Sequence, residues 1–370
     1  MVRQVNVGSL RLFPQSKPVD QQVQNELLSL WKSKRSFIIL SGPPGTGKTR
    51  TAEDVVLEML QHHQASHNKN DCKITTLFPA FKYSLYSNES IRSMLQSRQI
   101  KFVWDICVLH PQYAYEDLIR GYRMFSATDG SSRLEVKEGM LGFIARVVSV
   151  MEEIYPSTEY PQGYLILDEI NRSPIGQLFG ESIYALDRRG SAVATPYDLD
   201  GLGSNLVIPQ SLLLLGTMNS IDRAVSGFDF ALRRRFVVLT MIPREESIRE
   251  RWSVFSPSSL CNQVLNFYNL IKQLILGATK TGIVPPTELV IGHSYFLPPL
   301  SIETEAKALR WLAESYKFQI LPILIDYQEQ GLLEFPKNHS LPGNDILVGR
   351  QALGDLSLDE IITFLRDANS

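Results

Sequence analysis

The chain has 370 residues, 44% of them hydrophobic and 21% charged, the composition of an ordinary globular protein with room for two or three domains. A net charge of −2 and a pI near 6.3 exclude a global electrostatic attraction to nucleic acid or anionic lipid. Three widely spaced cysteines, Cys72, Cys107 and Cys261, match neither a disulfide framework nor a zinc site. No run has signal-peptide or transmembrane length, so a reducing, cytoplasmic setting without membrane attachment is expected.

The first predicted strand is the unbroken apolar run Phe37, Ile38, Ile39 and Leu40, as expected of a strand buried on both faces of a parallel sheet. It leads into SGPPGTGKTR, which has the G-x-x-x-x-G-K-T spacing of a loop that wraps a phosphate chain. Gly42, Pro43, Pro44, Gly45, Thr46 and Gly47 would form the cradle, the glycines letting backbone N–H groups converge on an anion. Lys48 would set a charge on the β- and γ-phosphates, the Thr49 hydroxyl would reach Mg²⁺, and Arg50 completes the nucleotide-binding set. Ala52, Val55, Val56, Met59 and Leu60 then recur at helical spacing, so a helix follows with its positive end at the same point.

Residues 62–71, HHQASHNKND, read as a solvated loop or frayed helix end, because their histidines have no acidic or sulfur ligand at metal spacing. Trp104, Tyr113, Tyr115 and Tyr122 alternate with apolar residues and read as core in preference to base-stacking side chains. Residues 131–154 read as a hairpin strand followed by a helix. Another buried run, Tyr164 to Leu167, ends in adjacent carboxylates. Asp168 would hold Mg²⁺ and Glu169 would orient or deprotonate the attacking water. A third run, residues 212–215, leads to Asn219, placed to hydrogen-bond the γ-phosphate or that water. Arg233, Arg234 and Arg235 precede the apolar strand FVVLTMI. One or two of them, Arg233 and Arg234 first, would cross a subunit boundary to stabilise charge on a neighbour's phosphates. Beyond Pro243 the periodicity turns helical over residues 245–276 and 303–330, with LPILIDYQEQ expected as the last core helix.

In this order, the strand–loop–helix unit, LILDEINR, GTMNSIDRA and ALRRRF resemble the AAA+ superfamily. More narrowly they resemble its McrB branch, the nucleotide-hydrolysing motor subunits of modification-dependent restriction systems. HPQYAYEDLIRGYR (residues 110–123), IGQLFGESIYALDRRG (175–190) and IGHSYF (291–296) carry the narrower match, which spans about residues 37–327. The resemblance implies an α/β fold, a five-stranded parallel sheet flanked by helices, followed by a small α-helical lid. Its expected divisions are an N-terminal extension (1–35), an NTPase domain (36–243) with a hairpin insertion near 124–140, and the lid (244–370).

The same resemblance implies Mg²⁺-dependent hydrolysis of a nucleoside triphosphate, GTP favoured over ATP, in a homo-hexameric ring with a McrC-like nuclease subunit. DNA would be engaged indirectly or through the assembled complex. Asp222 and His293 join the nucleotide-binding set, although Asp222 could instead position Arg223, and His293 and Tyr295 could instead pack between lid helices. Two departures stand out. About thirty-five residues precede the first strand, too few for a domain that reads modified bases, so DNA reading is expected from a partner. The family's usual M-N-T-A-D is here Met218-Asn219-Ser220-Ile221-Asp222. The alternatives are a MoxR- or dynein-like ATPase that remodels a protein complex, and a nucleotide-gated scaffold that hydrolyses slowly.

Overall fold

The computed structural model describes residues 21–63, 69–81, 85–126, 132–156, 159–221, 235–255, 258–280, 284–336, 339, 341–343, 347 and 355–367. Its strands are β1 (Phe37–Gly42), β2 (Val103–Val108), β3 (Arg120–Ser126), β4 (Ser132–Glu138), β5 (Gly163–Asp168), β6 (Ala192–Leu199), β7 (Gly203–Val207), β8 (Leu212–Asn219) and β9 (Val237–Thr240). Five of them form a parallel sheet in the order β2-β5-β8-β1-β9, while β3–β4 and β6–β7 are separate antiparallel hairpins. All of β1 is buried, and so are β5 and β8 apart from their last residues, which is why these strands read as continuous apolar runs. In β2 and β5 the register pairs Val103 with Gly163 and Val108 with Asp168, so Asp168 falls at the carboxyl end of its strand. Parallel pairing delivers every strand's carboxyl end to one edge, the edge at which open α/β sheets bind ligands.

The chain divides into two compact units. The first holds the described residues up to 38, with 49–168 and 176–215. The second holds 39–48, 169–175 and the residues from 216 onward. In chain order the longer helices are α1 (Gln21–Lys32), α2 (Lys48–His62), α3 (Asn88–Ser97), α4 (Met140–Ile154), α5 (Glu245–Trp252), α6 (Ser258–Ala278), α7 (Glu305–Ser315), α8 (Leu321–Glu329) and α9 (Leu358–Asp367). No helix among the described residues is long and apolar enough to cross a membrane.

In the first unit α4 is the central helix. Leu141, Phe143, Ile144, Val147, Val148 and Met151 are all buried, and Phe143 meets Phe78 and Phe81 at ring-centroid distances of 5.3 and 5.1 Å. The Arg120 side chain is buried between the hairpins, and its guanidinium donates to the Gly203 and Asn205 carbonyls at 3.3 and 3.2 Å, so β3–β4 and β6–β7 are tied together. The sequence reading contains only the first hairpin. The second leaves no clear trace there because Pro196 and alternating small and polar residues break its apolar pattern.

Trp104 is core as expected and Tyr113 and Tyr115 are partly buried, but Tyr122 is 55% exposed on β3 and departs from the core reading. In the second unit α5 to α9 pack around Trp252, Phe267, Tyr268, Leu312, Tyr316, Ile361 and Leu365. A π-turn over Tyr316–Ile320 joins α7 to α8, just before Pro322. Helix α9 lies beyond the helix expected to be last, and its Phe364 meets Phe267 edge-on at 6.0 Å.

His63 also departs from the solvated-loop reading of its segment. It is buried, its ring stacks with Phe102 at 5.7 Å, and its Nε2 donates to the Pro161 carbonyl at 2.8 Å. Burial is the first cause holding its pKa below the ordinary value. The unfolded chain binds a proton at this residue as pH falls through about 6.5, whereas the folded chain resists to a lower pH. Stability carried by His63 is therefore complete above that value and declines below it. Chemical denaturation between pH 7.5 and 5 should show this decline, and His63→Gln should flatten it.

Candidate active site

The glycine loop lies in the second unit. Gly45 and Gly47 have φ of +78° and +79°, left-handed values that place glycine there at little cost. Lys48 is buried, and its ammonium donates to the Gly42 carbonyl at 3.0 Å and the Pro43 carbonyl at 2.8 Å, so its charge is held against the loop itself. The Thr46 hydroxyl donates to the Pro43 carbonyl at 2.9 Å, and the Ser220 amide to the Gly42 carbonyl at 3.1 Å. Helix α2 begins at Lys48, so its unpaired amides and positive end belong to this loop.

Thr49, the residue after Lys48, and Asp168, the residue before Glu169, meet within the first unit. The Thr49 hydroxyl donates to Asp168 Oδ1 at 2.7 Å. A hydroxyl beside one carboxylate is a hard-oxygen donor set that suits Mg²⁺ shared with phosphate oxygens, because Mg²⁺ keeps most of its remaining ligands as water and phosphate. Arg50 is exposed and faces Asp54 one helical turn on, at 3.8 Å.

Glu169 has φ 56° and ψ 46°, a left-handed conformation that costs a residue with a side chain roughly 1–2 kcal/mol. Two interactions hold it there: its amide donates to Thr217 Oγ1 at 3.1 Å, and its carboxylate pairs with Arg172 three residues on. Asn219 ends β8, half-buried, with its carbonyl accepting from Asn171 Nδ2 at 3.4 Å. Thr217 and Arg172 do not figure in the sequence reading. A threonine inside a buried strand and an arginine three residues after the acid pair were the available signals.

His293 is buried close to the glycine loop. Its Nδ1 accepts the Arg244 amide at 3.2 Å, which leaves the neutral ring's proton on Nε2, and a Cβ on Gly47 would stand 3.9 Å from that nitrogen. Tyr295 lies against Gly45 and also packs against the helical core of the second unit. Asp222, Arg233 and Arg234 lie outside the described residues.

A parallel sheet in this strand order, with a phosphate-type loop after one strand and an acid pair after another, is the arrangement of a P-loop α/β fold. No protein-family model matches the chain. It is 26% identical over 294 residues to the type IV methyl-directed restriction enzyme EcoKMcrB subunit of Escherichia coli K12, across 78% of this chain. The chain spans about half of that protein's length, 53%. A mutant RuvB from Thermotoga maritima superposes over 95% of this chain and 88% of its own, at 13% identity and a TM-score of 0.33. This sequence relationship agrees with the motif set: over most of its length the chain is similar to a McrB restriction subunit.

Thr217→Val keeps the shape of the side chain and removes the hydroxyl that accepts the Glu169 amide. Turnover should drop about ten-fold, the size of one lost hydrogen bond, with nucleotide Kd unchanged. Parallel phosphate-release and calorimetric titrations would show the split.

Proposed function

We propose that this chain hydrolyses a nucleoside triphosphate with Mg²⁺, GTP in preference to ATP. On this reading it works as the motor subunit of a McrBC-like restriction or anti-phage system, in a hexameric ring with a separate McrC-like nuclease subunit. The observation that carries the reading is the Thr49 hydroxyl held 2.7 Å from Asp168, with Lys48 and Glu169 their chain neighbours. The relative is named as a subunit of a methyl-directed restriction enzyme, which supports the defence setting and a multi-subunit assembly; a cytoplasmic location and DNA engaged through the assembled complex belong to the same reading.

The amides of residues 45–49 and the Lys48 ammonium bind the phosphate chain and stabilise charge that builds up on it. Thr49 and Asp168 would hold Mg²⁺, which when bound supplies charge neutralisation to the phosphate oxygens. Glu169 accepts a proton from the attacking water as the water oxygen bonds to the γ-phosphorus and the bond from that phosphorus to the β–γ bridging oxygen breaks, releasing phosphate and the nucleoside diphosphate, while Asn219 orients that water or the γ-phosphate. His293 donates from Nε2 to the bound nucleotide. Arg233 and Arg234 act on a neighbouring subunit's phosphates, which is the reason to expect a ring.

Glu169→Gln removes the base while keeping size and hydrogen-bonding capacity. Phosphate release should fall on the order of a hundred-fold or more, with nucleotide Kd within about two-fold of wild type. Unchanged turnover would refute the role given to Glu169. Running GTP and ATP side by side, with and without the product of the adjacent gene, tests the rest. Stimulation by a nuclease-like neighbour supports restriction. Stimulation by an adhesion-domain protein supports a MoxR-type remodeller instead.

A further inference from the structure

Residues 292–296 form a strap with two different faces, all within the second unit. Its amides point to the glycine loop: Gly292 N–H donates to the Pro44 carbonyl and Ser294 N–H to the Gly45 carbonyl, each at 3.0 Å. Its carbonyls are held by the helices. Ser315 Oγ, at the end of α7, donates to the Tyr295 carbonyl at 2.7 Å, and Trp252 Nε1 at the end of α5 donates to the Phe296 carbonyl at 2.6 Å. The contact with the loop is close enough that a Cβ on Gly292 would collide with the Gly45 carbonyl group, and one on Gly45 would collide with the Tyr295 ring.

The peptide unit is planar and trans, so its C=O and the following N–H point in opposite directions. Pinning the Pro44 carbonyl to the strap therefore aims the Gly45 amide away from the strap, and pinning the Gly45 carbonyl does the same for the Thr46 amide. These are two of the amides assigned to the phosphate chain. Without the strap both peptide planes gain freedom to rotate, and an anion would have to order them on binding.

We propose that Ser315 is a positioning residue for the nucleotide site: by holding the Tyr295 carbonyl it seats the strap on the glycine loop and presets the amides that bind the triphosphate. Ser315 touches no nucleotide and takes no part in the bond-breaking step. Its place supports the role. It is buried, its Oγ lies 3.2 Å from Gln319 Oε1, and it immediately precedes the π-turn of residues 316–320. Such turns widen a helix where proline follows, here Pro322, and recur at functional sites. The coupling also runs in reverse: a bound triphosphate steadies the strap, and through Ser315 and Trp252 it steadies α7 and α5.

The inference rests on the NTPase reading, and the experiment separates the two. Calorimetric titration of the full chain with a non-hydrolysable GTP or ATP analogue and Mg²⁺ gives Kd, and steady-state phosphate release gives kcat. Ser315→Ala should weaken Kd about ten-fold, one hydrogen bond's worth. Turnover at saturating nucleotide should stay within about two-fold, and Ser315→Thr, which keeps the hydroxyl, should restore the affinity. Gly292→Ala, which lifts the strap from the loop by a different route, should weaken binding at least as much. A merely structural serine would lower the unfolding midpoint and leave this split absent. Wild-type Kd in folded Ser315→Ala or in folded Gly292→Ala overturns the inference alone. Absence of any triphosphate binding by the wild-type chain overturns the NTPase reading, and the inference with it.

Discussion

Five consecutive carbonyls, from Ser41 to Gly45, each have a donor, and the glycine loop depends on this. Met241 N–H takes the Ser41 carbonyl at 2.7 Å. Ser220 N–H and Lys48 share that of Gly42, Thr46 and Lys48 share that of Pro43, and the strap takes those of Pro44 and Gly45. A backbone that turns its amides towards an anion must turn its carbonyls elsewhere, and buried carbonyls left unpaired would cost more than a loop this short could recover. The donors come from three places: the ends of β8 and β9, the loop's own side chains, and the strap. Glycine is required where they crowd in, and the two prolines contribute no amide to satisfy.

The acid pair follows a different logic. Asp168 is the last residue of a regular strand and inherits its position from the β2–β5 register. Glu169 has left the strand and sits in a strained backbone conformation held by Thr217 and Arg172. A carboxylate in an ion pair is preorganised but also engaged, so using it as a base requires Arg172 to yield. The loop and the acid pair are thus built on separate supports. On the proposed function, strap contacts would bear on how tightly a phosphate chain is gripped, and the Thr217–Glu169–Arg172 set on what happens once it is gripped.

The sequence revealed the strands that carry the chemistry because burial on both faces makes them unbroken apolar runs, and β1, β5 and β8 lie where those runs are. It revealed the loop because phosphate wrapping needs glycine and lysine at fixed spacing. It did not reveal the work of Gly292 and Ser294, whose contribution is a backbone N–H that nearly every residue type carries. The β6–β7 hairpin stayed hidden because short, half-exposed strands carry little pattern. Tyr122 was misread because alternation tells which residues share a face, not whether that face is covered. His63 was misread because a polar neighbourhood in sequence need not be one in space.

The strap accounts for why IGHSYF could be noticed in the sequence without its role being readable. Each of its residues has a separate reason to be there: Gly292 for close approach, His293 for a nitrogen directed at the loop, Tyr295 for a ring over Gly45, and Phe296 for anchorage in the helical core. The strap's backbone takes hydrogen bonds from the helices on one face and gives them to the loop on the other. A polar side chain can change rotamer and lose its ligand while the fold stays unchanged, whereas a strap bonded on both faces cannot move without moving α5 and α7. If the loop binds a nucleotide as proposed, coupling through the backbone makes nucleotide grip and helix position parts of one equilibrium.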